Sequence, residues 1–302
     1  MAIEATYFSD PGCPWAYSVN PALTVLRWRY GDQLAWRLVT IGLTEHAEQY
    51  VQRGYTPVRS ARTYMWFRRY GMPFATEPRP RMVATAPACR AIVATRLDFP
   101  GREFEVFRAP QFAWFTTPLV LDEPDQIAIA LRTVRDLDTA AVIARLGDRD
   151  VAEAYERDRA EARAAAGSAT ELQGKAAATD GPVRYTAPSL IFSRDGARLE
   201  AGGFQTIEAY DVLVANLDPS LSRAAASDDL LPVLERFPQG LTTQEVAAVM
   251  ARGNLDPDRD AAESALVELV ASGAALRTPL GDDALWSPRA PVAAAAPVQQ
   301  AA

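Results

Sequence analysis

Residues 7–20 read YFSDPGCPWAYSVN, and this stretch decides the fold. Residues 3–9 carry Ile3, Tyr7 and Phe8 in a loose alternation that suits a short strand. Asp10, Pro11 and Gly12 then break the strand, and a helix is predicted over residues 14–31. Pro14 fits its first turn, where no backbone N–H is needed, and Gly31 fits its stop. Residues 34–41, LAWRLVTI, read as a second strand. Strand, helix and strand at this spacing make a βαβ unit, with a parallel strand pair and a right-handed crossover. Cys13 falls at the start of the helix. Unpaired backbone N–H groups and the positive end of the helix dipole favour thiolate over thiol there, and the thiolate is the nucleophilic form. Asp10 works mildly against this, while Pro14 and Trp15 shape the floor around the sulfur.

Downstream the pattern changes. Residues 45–82 are rich in Tyr, Arg, Trp and Pro, with a helix predicted at 58–70 and an irregular loop after it. Helices are expected at 83–97, 101–115, 124–134 and 138–146, followed by one long polar-faced helix over 148–178. From 181 the strand period returns. A strand at 188–193, a turn at Arg194–Asp195–Gly196, a strand at 197–200 and a helix at 205–217 follow in order. Residues 218–227 read as a linker. Beyond it come helices at 228–236, at 243 onward with Thr242 or Thr243 as cap and Glu245 in the first turn, and at 258–272, then a hairpin turning near Gly281. Three helices and a hairpin outline a winged helix. The Ala-, Pro- and Gln-rich tail from 289 reads as disordered.

The expected fold class is therefore α/β: a strand–helix–strand half and a strand–strand–helix half bracket a helical insertion, with a small C-terminal winged-helix-like domain after them. The two bracketing halves span 1–44 and 181–217, the insertion 45–180, the winged-helix-like unit 228–288 and the disordered tail 289–302.

Composition limits the function classes. The 302 residues are 49% hydrophobic and 23% charged, with a net charge of −7. An acidic chain argues against broad attraction to nucleic acid or anionic membrane. The winged-helix-like unit is acidic too: residues 223–289 hold six Arg and no Lys against eleven Asp or Glu. Nucleic acid is therefore an unexpected partner, and packing against the rest of the chain or a protein partner is the expected role. The first residues read as a strand and not as a leader, and no apolar run suits a membrane span. A cytoplasmic protein is expected, with its two cysteines, Cys13 and Cys89, reduced.

DPGCPWAY resembles the active-site turn of the thioredoxin-like DsbA/FrnE family, usually DPxCPWCY. The resemblance implies a thioredoxin-like fold made of residues 1–44 and 181–217, and its split by the helical insertion 45–180 matches as well. TAPSLIF, residues 186–192, lies where that family carries a cis-proline beside the active cysteine. The resemblance implies that Pro188 is that proline, preceded by Ala187, with backbone groups free to pair with an extended substrate chain. It covers residues 1–217. The chain departs from the pattern at Ala16, which replaces the second cysteine. That sulfur would resolve a mixed disulfide from within, so an external thiol must do so here, or Cys89 if it lies close. The resemblance therefore implies a monothiol thiol-disulfide oxidoreductase. Cys13 is catalytic, Pro14, Trp15, Ala187 and Pro188 shape the site, and no cofactor is bound. The partners are a disulfide-containing protein or small molecule and a low-molecular-weight thiol as co-substrate. Kappa-class glutathione transferases and hydroxychromene-carboxylate isomerases share the scaffold, with Ser at the position of Cys13. An enzyme of that kind, using a bound small thiol, is the alternative reading. A non-catalytic scaffold is the third.

The remaining polar residues offer weaker signals. Cys89 sits in a helix-like apolar run and reads as a buried structural residue. His46 is the lone histidine, without the spacing of a metal site. The aromatic stretch of Tyr64, Trp66, Phe67, Tyr70 and Phe74, with Phe112, Trp114 and Phe115, reads as the core of the insertion, partly exposed near the site.

Overall fold

The computed structural model describes residues 2–179, 181–253 and 255–289. The chain runs β1 (Ile3–Ser9), α1 (Pro14–Ser18), α2 (Asn20–Tyr30) and β2 (Leu34–Thr40). Helices α3 (Glu48–Gln52), α4 (Pro57–Phe67), α5 (Ala86–Asp98), α6 (Glu103–Thr116), α7 (Pro124–Leu131), α8 (Thr139–Ala144), α9 (Arg149–Ala162) and α10 (Ala169–Leu172) follow. Next come β3 (Ala176–Ala177), β4 (Arg184–Tyr185), β5 (Ser189–Arg194), β6 (Ala197–Gly202) and α11 (Ile207–Leu217). The chain ends with α12 (Leu230–Arg236), β7 (Leu241–Thr242), α13 (Thr243–Met250), α14 (Arg259–Ala271), β8 (Ala275–Leu280) and β9 (Asp283–Pro288).

The central sheet has the order β2-β1-β5-β6. β1 and β2 are parallel, whereas β1 with β5 and β5 with β6 are antiparallel. This is the thioredoxin-like arrangement, with helices on both faces. The two-residue side-chain period sorts the strands cleanly. Ile3, Ala5, Tyr7, Leu34, Leu38, Leu190 and Phe192 join the large core with helices α2, α5, α6 and α9. Phe8, Val39 and Ile191 point to the other face, where they pack with Cys13, Ala16, Tyr185 and Ala187.

Two sequence expectations are corrected. The helix expected over 14–31 is two helices broken at Val19. Gly31, at φ +52°, ends the second one. The long helix expected over 148–178 stops at Ala162. The chain then makes a turn through Gly167, at φ +74°, and β3 pairs with β4. Alanine-rich composition favours helix locally, but the strand pairing and the turn win. The expected tail falls mostly on residues 290–302, which lie outside the described residues.

The C-terminal segment forms a three-stranded sheet of order β7-β9-β8 against α12, α13 and α14. Its core extends into α2 through Val25, with Trp28 packed against it. Glu245, fully buried, ties the parts together. It closes the capping box at Thr242 and accepts from Thr24 Oγ1 at 3.1 Å, and both arms of Arg108 donate to it at 2.7 and 2.6 Å. Burial pushes its carboxyl up, but Arg108 and the Thr242 donors outweigh it and hold the pKa below the ordinary 4.5.

Glu245→Ala is expected to destabilise the protein by about 3 kcal/mol, because it leaves the Arg108 charge without its partner. Glu245→Gln is expected to cost less. Because the folded pKa is depressed, the wild-type contribution is present above about pH 4.5 and is lost as pH falls through the folded value. Chemical denaturation of both variants at neutral pH and at pH 4 checks this.

Candidate active site

The site is assembled at one end of the sheet. Antiparallel register sets Phe8 opposite Ser189, so the turn leaving β1 and the loop entering β5 are neighbours. Cys13 is the N-cap residue of α1, and Pro14 occupies the first turn. The Ala187–Pro188 peptide bond is cis. The Cys13 thiol donates to the Ala187 carbonyl at 3.0 Å, across 174 residues of sequence. Cys13 and Ala187 thus meet, each followed in the chain by a proline, Pro14 and Pro188.

Asp10 holds the turn. Its carboxylate accepts from Gly12 N and from Leu43 N, both at 2.9 Å, and is fully buried. Gly12 has no room for a side chain: a Cβ there would lie 2.7 Å from Thr85 Cγ2 and 2.9 Å from Trp114 Cζ2. Trp15 is 38% exposed. Its ring contacts Trp66, Phe67, Tyr70 and Phe204 at centroid distances of 5.6, 4.9, 5.6 and 5.5 Å. Tyr17 is buried, stacks on Phe115 at 4.7 Å and donates its hydroxyl to Pro73 O at 2.9 Å. The predicted aromatic core is therefore divided. Tyr64, Phe67, Phe74, Phe112, Trp114 and Phe115 are buried, whereas Trp66 is exposed beside Trp15.

A cavity of about 370 Å³ opens over Cys13. Trp15, Tyr50, Tyr64, Phe67 and Trp114 contribute apolar wall. Among the described residues, its lining carries Arg53, Arg79, Arg81 and Arg184 and the carboxylate Glu77, with Arg81 held by Asp122 and Glu123. Arg184 donates to Tyr185 O at 3.1 Å and to Thr179 Oγ1 at 3.2 Å, and lines the cavity together with Cys13. Sequence reading missed Arg184. The available signal was a lone base a few residues before the Ala187–Pro188 pair.

The charge state of Cys13 departs from the sequence expectation. Burial, at 7% exposure, pushes the thiol up from 9.0 to about 12. The backbone N–H groups of Ala16 and Trp15 and the Arg184 cation pull the other way, and Asp10 adds to the rise. The helix terminus acts as expected, but desolvation of a thiolate outweighs it. Cys13 rests as a thiol.

Ala16 is fully buried against the same cluster as Cys13. Cys89 is free and fully buried in a different cluster. Its thiol points to Asp10 Oδ2 at 3.7 Å, and it lines no part of the cavity. His46 is exposed and also lies away from the cavity. Among the described residues, no group of three or more His, Cys, Asp or Glu is placed to hold a metal, and no helix is long and apolar enough to cross a membrane.

No family model matches the sequence, and no curated protein matches it. Solved structures do match the fold, and they are DsbA-like thiol-disulfide oxidoreductases. A candidate protein disulfide isomerase from Nitrosomonas europaea matches at 17% identity and TM-score 0.54, covering 72% of this chain and 97% of its own. A probable DsbA oxidoreductase from Streptomyces coelicolor matches at 15% identity and TM-score 0.54, covering 75% and 97%. The cytosolic disulfide reductase DsbM from Pseudomonas aeruginosa matches at 16% identity and TM-score 0.51, covering 72% and 100%. A second structure of DsbM contains GSH and matches at TM-score 0.50.

With the thiol raised to about 12, alkylation of Cys13 by iodoacetamide is expected to quicken about tenfold per pH unit between about pH 7 and about pH 10, without a plateau. A plateau below about pH 8 in the Cys89→Ser background would instead mean a stabilised thiolate. The same raised pKa stabilises the fold fully below pH 9.0 and ceases to do so as pH climbs through about 12.

Proposed function

We propose that this protein is a monothiol thiol-disulfide oxidoreductase working through Cys13. The observation that carries the reading is the Cys13 sulfur at a helix N-terminus, 3.0 Å from the Ala187 carbonyl, on the floor of an open cavity. The thiolate attacks one sulfur of a substrate disulfide. A mixed disulfide with Cys13 forms, the substrate S–S bond breaks, and the departing sulfur leaves as a thiolate that takes up a proton. An external thiolate then attacks the mixed disulfide and carries away the second sulfur, so that Cys13 is returned and the external thiol is oxidised.

The resting proton is the obstacle, and the geometry supplies a way to remove it. An extended substrate chain pairing with Ala187 competes for the carbonyl that now holds the thiol proton. The N–H groups of Trp15 and Ala16 and the Arg184 charge are then in place to stabilise the thiolate. Fully buried Ala16 offers no sulfur, and Cys89 is engaged with Asp10, so resolution comes from outside.

A low-molecular-weight thiol carrying carboxylates fits the arginines of the cavity, and the DsbM structure with GSH lends support to that choice. A reducing, cytoplasmic setting suits such a co-substrate. Residues 1–44 with 181–217 serve as the thioredoxin-like domain and 45–180 as its insertion. The order of α12, β7, α13, α14, β8 and β9 supports a winged-helix-like reading of residues 228–288. The acidity of that unit and its packing on α2 favour a buttressing role over nucleic-acid binding.

One observation favours a second reading. A protonated Cys13 can donate a hydrogen bond to the thiolate of a bound small thiol, which would then do the chemistry on an electrophile. The two readings separate on Cys13→Ser, which keeps a donor but loses the sulfur.

Cys13→Ser is expected to abolish reduction of a small mixed disulfide, and Cys89→Ser to leave it intact. Retention of full activity in Cys13→Ser would sink the monothiol mechanism. Ala16→Cys is expected to create an internal disulfide on oxidation, seen by intact mass as the loss of two hydrogens, and to remove the need for an external resolving thiol.

A further inference from the structure

A second cavity, about 220 Å³, lies between α2, α6 and the loop entering β7. It sits on the opposite face of the sheet from Cys13, since Tyr7 and Phe107 line it and both belong to the large core. Its polar lining is unusual in being rich in donors without acceptors. Arg27 places its guanidinium 4.5 Å from the Trp36 ring centre and 4.3 Å from that of Phe104. Its Nε is buried without a hydrogen-bond partner, and no carboxylate among the described residues pairs with it. Gln111 is 1% exposed. Its Oε1 accepts from Asn20 Nδ2 at 2.8 Å, while its Nε2 is buried and unpartnered.

The other charges around the cavity are already matched. Arg108 is held by Glu245 and by Gly240 O. Glu105 accepts from Arg102 at 2.8 Å and from Gln239 Nε2 at 2.8 Å. One cation, Arg27, is left over. Burial, followed by the neighbouring Arg108 charge, lowers its pKa to about 10, which an anion beside it would reverse. A buried donor without an acceptor costs about 1–3 kcal/mol, and here two residues that line one cavity each carry such a donor.

We propose that this cavity binds a small monoanionic organic carboxylate. A guanidinium edge pairs with a carboxylate through parallel hydrogen bonds, and the Gln111 amide supplies a further donor. Leu23, Phe104, Phe107, Phe237 and Leu241 form apolar wall for the rest of the molecule. The single unmatched cation sets the ligand charge at minus one. The apolar wall favours an organic acid over inorganic phosphate.

The test uses the full chain and para-fluorobenzoate, followed by fluorine NMR. Saturable binding is expected, displaced by benzoate but not by inorganic phosphate, with neutral para-fluorobenzamide failing to bind. Arg27→Met and Gln111→Leu should each weaken it by about ten- to a hundredfold, and Arg27→Lys should weaken it less than Arg27→Met. Arg53→Gln, which alters the cavity over Cys13, and Cys13→Ser should leave binding unchanged, so this result stands apart from the thiol chemistry. Lack of saturable binding would overturn the proposal. So would displacement by phosphate as readily as by benzoate, or equal affinity in Gln111→Leu and the unaltered protein.

Discussion

Antiparallel pairing of β1 with β5 is the constraint on which the site depends. Strands 180 or so residues apart are brought side by side with Phe8 opposite Ser189. The turn that leaves β1 and the loop that enters β5 must then meet at the same sheet end. That meeting sets the Cys13 thiol on the Ala187 carbonyl and brings Arg184 within electrostatic reach of it, while the Asp10 carboxylate ties the turn to Leu43. A one-residue slip would turn Phe8 and Ile191 to the wrong face and separate the two loops.

Two opposing electrostatic effects act on the sulfur. A helix N-terminus and a nearby guanidinium lower a thiol pKa, whereas removal from water raises it. In this fold, burial wins. The sulfur is covered by the apolar cluster of Phe8, Ala16, Tyr185 and Ala187, and Trp15 is held upright by four aromatic rings beside it. The resting sulfur is therefore a thiol, and under the proposed mechanism its activation is tied to a substrate chain that takes the Ala187 carbonyl.

The C-terminal segment is part of the same body. Val25 on α2 belongs to its core, and Glu245 is wired to Thr24 and Arg108. Asp282 accepts from Phe74 N at 2.8 Å, which fixes the loop below the aromatic cluster. The helix that begins at the active turn thus continues, after its break at Val19, into a helix whose far face is covered by this segment. Among its acidic residues, Glu245 and Asp282 are spent on these internal contacts.

Much of the fold was legible in the sequence because it rests on local rules. The period-2 strands, Pro14 at a helix start, Gly31 at a helix stop, the Arg194–Asp195–Gly196 turn and the Thr242–Glu245 capping box are each set by neighbouring residues. The pairing of CPW with APSLIF was legible through the resemblance of DPGCPWAY and TAPSLIF to the DsbA/FrnE pattern. What local rules could not reach was anything that depends on distant atoms. The helix expected over 148–178 gave way to a turn and to the β3–β4 pairing. The Cys13 pKa was decided by burial, Arg184 came to the sulfur through the chain path, and Arg27 and Gln111 were left without acceptors by the packing of three separate segments. By itself the sequence determined which atom could react and on which scaffold it stands. Only the tertiary structure decided that atom's charge state and its neighbours, because desolvation and long-range contacts exist only after the chain has closed around them.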